Sequence, residues 1–87
     1  MNLPVETPWP QAVQVIPLEQ QRLRVWMKDG RVLVLDLGSL IRRREVYWRL
    51  RQDRYFRQVG VDPIGGICWP EGEDLAPEGL EHYEVQA

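Results

Sequence analysis

An 87-residue chain has room for one domain and one core, and the composition, 44% apolar and 28% charged, is that of an ordinary folded protein. A chain this short buries only about 60% of its unfolded surface, so it folds alone with a narrow margin. The net charge of −2, the single cysteine and the lack of a long apolar run exclude an internal disulfide framework, a cysteine-built zinc cluster and a membrane-spanning helix.

The opening MNLPVETPWPQ lacks the basic segment and apolar run of a signal peptide, which points to a cytoplasmic protein. Its prolines make residues 1–11 an extended lead-in, followed by a single domain over 12–84 and a short tail over 85–87. AVQVIP alternates, with Val13 and Val15 on one face, and reads as a first strand that Pro17 ends or holds at an edge.

RLRVWMKDGRVLVLDL places two β-rich runs around Asp29-Gly30, the chemistry of a two-residue hairpin turn. That turn sets Met27 against Val32, Val25 against Val34 and Leu23 against Asp36. One face then carries Leu23, Val25, Met27, Val32 and Val34, and the other carries Trp26, Leu33 and Leu35 with Arg24. A hairpin apolar on both faces has something on each side: another part of the chain, a second subunit or a partner.

Ser39 is placed to cap a short helix over LIRRR, which the arginine triplet interrupts. A second short helix over EVYWRL puts Val46 and Leu50 on one stripe with Tyr47 beside them, and DRYF turns the chain with Phe56 inward. Val59 and Val61 define a fourth strand, DPIGG a turn, and Ile67 with Trp69 the inner face of a fifth, leaving Cys68 pointing away. In WPEG, Pro70 and Gly72 suit the second and fourth positions of a turn, and Pro77 opens a last short helix. The expected architecture is α+β, a small and mostly antiparallel sheet of about five strands in two hairpins with one or two short helices.

Charge is segregated. Segment 42–57 carries seven arginines against Glu45 and Asp53, a net +5, whereas 58–87 carries seven acids with no lysine or arginine. The plain reading pairs these segments across the fold or leaves them as solvated faces; the sharper one makes the arginines a docking face. Arginines interleaved with Tyr47, Trp48 and Tyr55 could also neutralise phosphates and stack on bases, but the acidic C-terminal third opposes a dedicated nucleic-acid binder.

Three stretches in order, MKDG, LRQDRYFRQVGVD and GGICWPEGEDLAPEGL, together resemble a bacterial family catalogued as domain of unknown function 2442. The matching positions are Asp29, Gly30, Asp36, Leu37, Leu50, Phe56 and Val59, then Ile67, Trp69, Pro70, Gly72, Asp74, Leu75, Pro77 and Leu80. Met27, Glu71 and Glu81 depart from the family's usual aromatic, asparagine and tyrosine. The resemblance implies a domain similar to the N-terminal half of a two-domain helix-turn-helix protein. It also implies genes commonly set beside another small domain, as a toxin and antitoxin are, and it brings no catalytic residues.

Glu71, Glu73, Asp74, Glu78 and His82 lack the ligand spacing of a calcium loop and the histidines or cysteines of a zinc site, so no metal or cofactor is expected. No Cys-His pairing, phosphate loop or nucleophile elbow is present, so no enzyme is expected either. The expected function is a small non-catalytic interaction or regulatory module, self-associating or the antitoxin-like partner of a neighbouring gene product. Its candidate contacts are Trp26, Leu33, Leu35, Arg42, Arg43, Arg44 and Trp48, tryptophan and arginine being favoured at interface hot spots. The alternative is a nucleic-acid-binding accessory domain using segment 42–57.

Overall fold

The structure, a computed structural model, describes residues 9–85; most of the lead-in expected over 1–11 and the last two residues of the tail lie outside them. The described residues form an α+β fold of two antiparallel three-stranded sheets and short helical segments. Strands β1 (Ala12–Pro17), β2 (Arg22–Met27) and β3 (Val32–Asp36) make the first sheet in sequence order. Helix α1 (Gly38–Arg43), a 3₁₀ segment (Glu45–Arg51) and helix α2 (Asp53–Phe56) follow. Strands β4 (Gly60–Val61), β5 (Ile67–Cys68) and β6 (Asp74–Leu75) make the second sheet, and a 3₁₀ segment (Pro77–Tyr83) closes the chain. No helix among the described residues is long and apolar enough to cross a membrane.

Six strands stand where about five were expected. The extra one is β6, whose two residues are too few to show alternation in sequence. Each sheet is a meander, so β1 joins the first hairpin and β6 the second.

One loop geometry recurs three times. In the β2–β3 hairpin the Met27 N–H donates to the Arg31 carbonyl at 2.8 Å and the Gly30 N–H to the Met27 carbonyl at 3.0 Å, with Gly30 at φ +96°. The same pair of bonds closes Asp62 to Gly66 and Trp69 to Glu73, with Gly65 at φ +89° and Gly72 at φ +110°. These are three-residue loops in which a left-handed glycine makes a bulge, not the two-residue turn expected at Asp29-Gly30.

The extra loop residue corrects the register of β3. Val25 pairs with Leu33, Leu23 with Leu35 and Trp26 with Val32. Shifting by one residue exchanges the faces of the strand, so Leu33 and Leu35 join Leu23, Val25 and Met27 in the core while Val32 and Val34 turn outward. Burying the larger leucines in place of valines removes more apolar surface from water.

Two further expectations are corrected. Val13 does not share a face with Val15: the β1–β2 register shifts between Ala12 and Gln14, leaving Val13 57% exposed while Val15 packs on the core. Ser39 lies inside α1 rather than capping it; Leu37 is the cap residue, and the Asp36 carboxylate accepts the Gly38 N–H at 2.9 Å. The following segment kinks at Tyr47 (φ −99°, ψ 19°), which breaks the α-helical spacing that would align Val46 with Leu50. Leu50 is accordingly buried, Tyr47 packs on the core, and Val46 is exposed.

One core unites both sheets and the helical segments, with Phe56, Leu35, Ile41, Leu50, Ile67 and Leu80 fully buried. The Phe56 and Trp69 rings lie 5.9 Å apart, and the Trp69 indole N–H donates to the Phe56 carbonyl at 2.9 Å. The sheets meet where the Ala12 N–H donates to the Gly65 carbonyl at 2.8 Å. Beyond the last 3₁₀ segment, Glu84 bridges Leu35 and the Val85 N–H donates to the Val34 carbonyl, covering part of the outer edge of β3.

Candidate interaction surface

The helical segment carries the arginines because α1 ends abruptly: Arg44 is extended, and the chain restarts as a 3₁₀ turn. Three of the seven arginines hold this unit together. Arg51 donates from Nε and Nη2 to the Ile41 carbonyl, both at 3.2 Å, and from Nη1 to Glu45 at 3.0 Å, tying α1 to the 3₁₀ segment. Arg57 pairs with Asp53 one helical turn away at 2.8 Å, and Arg49 reaches Glu73 at 3.0 Å. Arg42, Arg43, Arg44 and Arg54 are exposed and make no ion pair with any described residue.

Glu73 is the buried charged residue of the described chain, its side chain 2% exposed. The register explains why. The three-residue loop sets Glu73 opposite Trp69, and both share the inner face with Ile67 and Leu75. Its carboxylate accepts the Tyr55 hydroxyl at 2.6 Å on one oxygen and Arg49 at 3.0 Å on the other. The Tyr55 oxygen in turn accepts the Glu71 N–H at 2.7 Å, and the Tyr47 hydroxyl donates to the Asp74 carbonyl at 3.3 Å. The β5–β6 turn is thereby stitched to the helical segment.

Burial works against ionisation of Glu73, but the hydrogen bonds from Tyr55 and Arg49 outweigh it and hold the carboxyl below its ordinary value. Burial, then the bond to Glu73, pushes the Tyr55 phenol up, so it stays a donor. The chain of contacts ends at the surface, where the Arg49 guanidinium carbon sits 5.0 Å from the centre of the Trp48 ring. Trp48 is 46% exposed, and the arginine that lies against its ring is the one paired with the buried Glu73.

Two clusters of expected contact residues fare differently. Trp26, Leu33 and Leu35 do not come together: Leu33 and Leu35 are core residues, whereas Trp26 lies half-buried on the outer face between Gln14 and Val32. The two-residue reading of the turn had put them on one face. Arg42, Arg43, Arg44 and Trp48 do lie exposed on the one helical segment.

The motif residues take mixed positions. Asp29 sits in its turn, accepting the Arg31 N–H at 3.0 Å and its guanidinium at 2.8 Å. Asp36 accepts the Gly38 N–H at the start of α1 and pairs with Arg22 at 3.4 Å. Leu50, Phe56, Trp69, Pro77 and Leu80 are buried; Pro70 and Gly72 form the exposed turn, and Asp74 points outward beside Cys68. Burial, then the Asp62 and Asp74 carboxylates, raise the Cys68 thiol above its ordinary value and disfavour the reactive thiolate. Among the described residues no three His, Cys, Asp or Glu side chains gather as a metal site.

Tyr55, Glu73 and Arg49 as a unit were not anticipated. The usable signal was WPEGE: a three-residue loop there puts Glu73 on the face of Trp69.

The model of the family described as protein of unknown function DUF2442 matches residues 12–86. No curated protein matches the chain. A crystal structure from Nitrosomonas europaea, named "Putative DNA Binding Protein", has a similar fold, with a TM-score of 0.77 at 22% identity. The match covers 87% of this chain and 49% of that one, so the chain spans about half the length of that protein.

Proposed function

The chain belongs to the DUF2442 family of proteins of unknown function, and on that premise we propose that it is a small non-catalytic interaction or regulatory module of the cytoplasm. Its specific form is antitoxin-like pairing with a neighbouring gene product, or self-association. The observation that carries this reading is Trp48, a large aromatic left half in solvent against an arginine that the buried Glu73 anchors. An exposed tryptophan beside an arginine has the composition favoured at interface hot spots. Two groups with acid-base or nucleophilic potential are otherwise engaged: Glu73 is held by Tyr55 and Arg49, and the Cys68 thiol is disfavoured as thiolate.

Co-expression with the adjacent gene's product tests the reading. Co-purification is expected with the wild type and should weaken with Trp48→Ala; a monomer that captures nothing refutes it.

A second reading, a nucleic-acid-binding accessory domain, is favoured by the four exposed arginines and the exposed Trp48 of the helical segment. The name of the Nitrosomonas europaea protein speaks of DNA binding, although that protein is about twice as long. Retardation of a mixed DNA and RNA pool at low salt is its test, and an absence of any shift ends it.

A further inference from the structure

We infer that the surface around Trp48 takes an acidic protein segment that carries one apolar or aromatic side chain. The inference rests on the protein-interaction reading and adds the chemistry of the partner. The helical segment leaves Arg42, Arg43, Arg44 and Arg54 exposed and without a carboxylate partner among the described residues. The remaining three arginines of the segment form ion pairs within the fold, whereas these four form none with a described residue, Arg43 donating only to the Ser39 carbonyl at 3.4 Å. Arginine presents a planar fork that matches a carboxylate with two parallel hydrogen bonds, and its weak hydration suits an interface.

The same helical segment exposes two apolar residues, Val46 and Trp48, close in sequence to Arg43 and Arg44, whereas Arg42 leans back toward Gly38 and Asp36. A polypeptide can meet both demands at once, placing its acids over the arginines and one large side chain on the tryptophan.

A nucleic-acid backbone fits less well. The β5–β6 turn, with Glu71, Glu73 and Asp74, is hydrogen-bonded onto this same helical segment through Tyr55, Arg49 and Tyr47. Glu71 and Asp74 are exposed there, so the surface changes sign close to the tryptophan. Duplex DNA carries a charge about every 1.7 Å and cannot spare the acidic portion, whereas a peptide can lay neutral residues across it.

The test uses short fluorescein-labelled peptides rich in glutamate with one central leucine, matched peptides with glutamine or lysine in place of glutamate, and a labelled single-stranded oligonucleotide. The acidic peptide should bind the wild type, lose affinity about tenfold or more with Arg43→Glu/Arg44→Glu and with Trp48→Ala, and be released near 1 M salt, where screening acts within about 3 Å. Circular dichroism of both variants confirms that the fold is retained. Equal binding of the glutamine peptide overturns the acidic chemistry while leaving the docking surface in place, and preferential binding of the oligonucleotide overturns it in favour of nucleic acid. If no probe binds yet the neighbouring gene product still co-purifies through Trp48, the acidic partner is wrong and the interaction reading survives. If neither happens, both fall.

Discussion

Alanine at each of the three loop glycines separates two contributions to stability that share one backbone geometry. Gly30 (φ +96°) and Gly72 (φ +110°) have nothing within 4 Å of where a Cβ would stand. Alanine there meets only the left-handed backbone, a strain of about 1–2 kcal/mol. Its stiffer unfolded chain returns about 0.4–1 kcal/mol, so the net loss is near 1 kcal/mol. Gly65 (φ +89°) bears the same strain, but its Cβ would come to 2.6 Å from Gln11 Cβ and 2.8 Å from Gln11 Cα.

Backbone cannot swing aside there. The Gln11 carbonyl accepts the Lys28 N–H at 2.7 Å, and the next residue donates to the Gly65 carbonyl at 2.8 Å. Overpacking of this kind adds about 1–3 kcal/mol, which brings Gly65→Ala to roughly 2–4 kcal/mol. In a domain of this size each kcal/mol lowers Tm by about 4–8 °C. Urea unfolding of the three variants beside the wild type measures the difference. If Gly65→Ala is no more destabilising than the other two, the close approach of the two sheets at Gln11 is wrong.

The acid limb of stability should depend on Glu73. A carboxyl held below its ordinary value contributes fully above the unfolded pKa and loses that contribution as pH falls through the folded one. Glu73→Gln should therefore flatten the fall in urea midpoint on acidification and cost about 1–3 kcal/mol near neutrality; an unchanged acid limb refutes the assignment. The register of β3 is tested by Val32→Arg and Leu33→Arg: the first, outward and half exposed, should change stability by under about 0.5 kcal/mol, while the second should abolish the cooperative thermal transition seen by circular dichroism. Trp48→Ala should leave the urea midpoint within about 0.5 kcal/mol of wild type, since a docking residue serves binding rather than folding; a large loss would make Trp48 structural.

Much of the fold was legible because short-range chemistry fixed it. Asp29-Gly30 marks a hairpin, Pro77 stands at the start of the last helical segment, Phe56 and Trp69 are inward, and Arg44 breaks the helical run. What failed was parity. Asp-Gly suits loops of either two or three residues, and only the burial of Leu33 and Leu35 distinguishes them. The bulge at Val13 and the switch from α to 3₁₀ at Glu45 are parity changes as well, and each misdirected one valine. Of the candidate surface, Arg42, Arg43, Arg44 and Trp48 could be read from composition, whereas the Tyr55–Glu73–Arg49 contacts join residues 18 and 24 positions apart in sequence.

The placement of Glu73 bears on what this surface is for. A buried ion pair is seldom the most stable choice; an apolar residue of similar size opposite Trp69 would pack on Ile67 and Leu75 without desolvating a charge. The corresponding position in the β2–β3 loop shows the ordinary solution, since Arg31 stays exposed and forms surface pairs with Asp29 and Glu81. Glu73 breaks the local pattern, and its partners lie outside the sheet that carries it. They fasten the β5–β6 turn to the helical segment and hold the guanidinium that lies on Trp48. If the chain is the interaction module proposed above, the pair serves it by anchoring the arginine that lies beside the exposed Trp48.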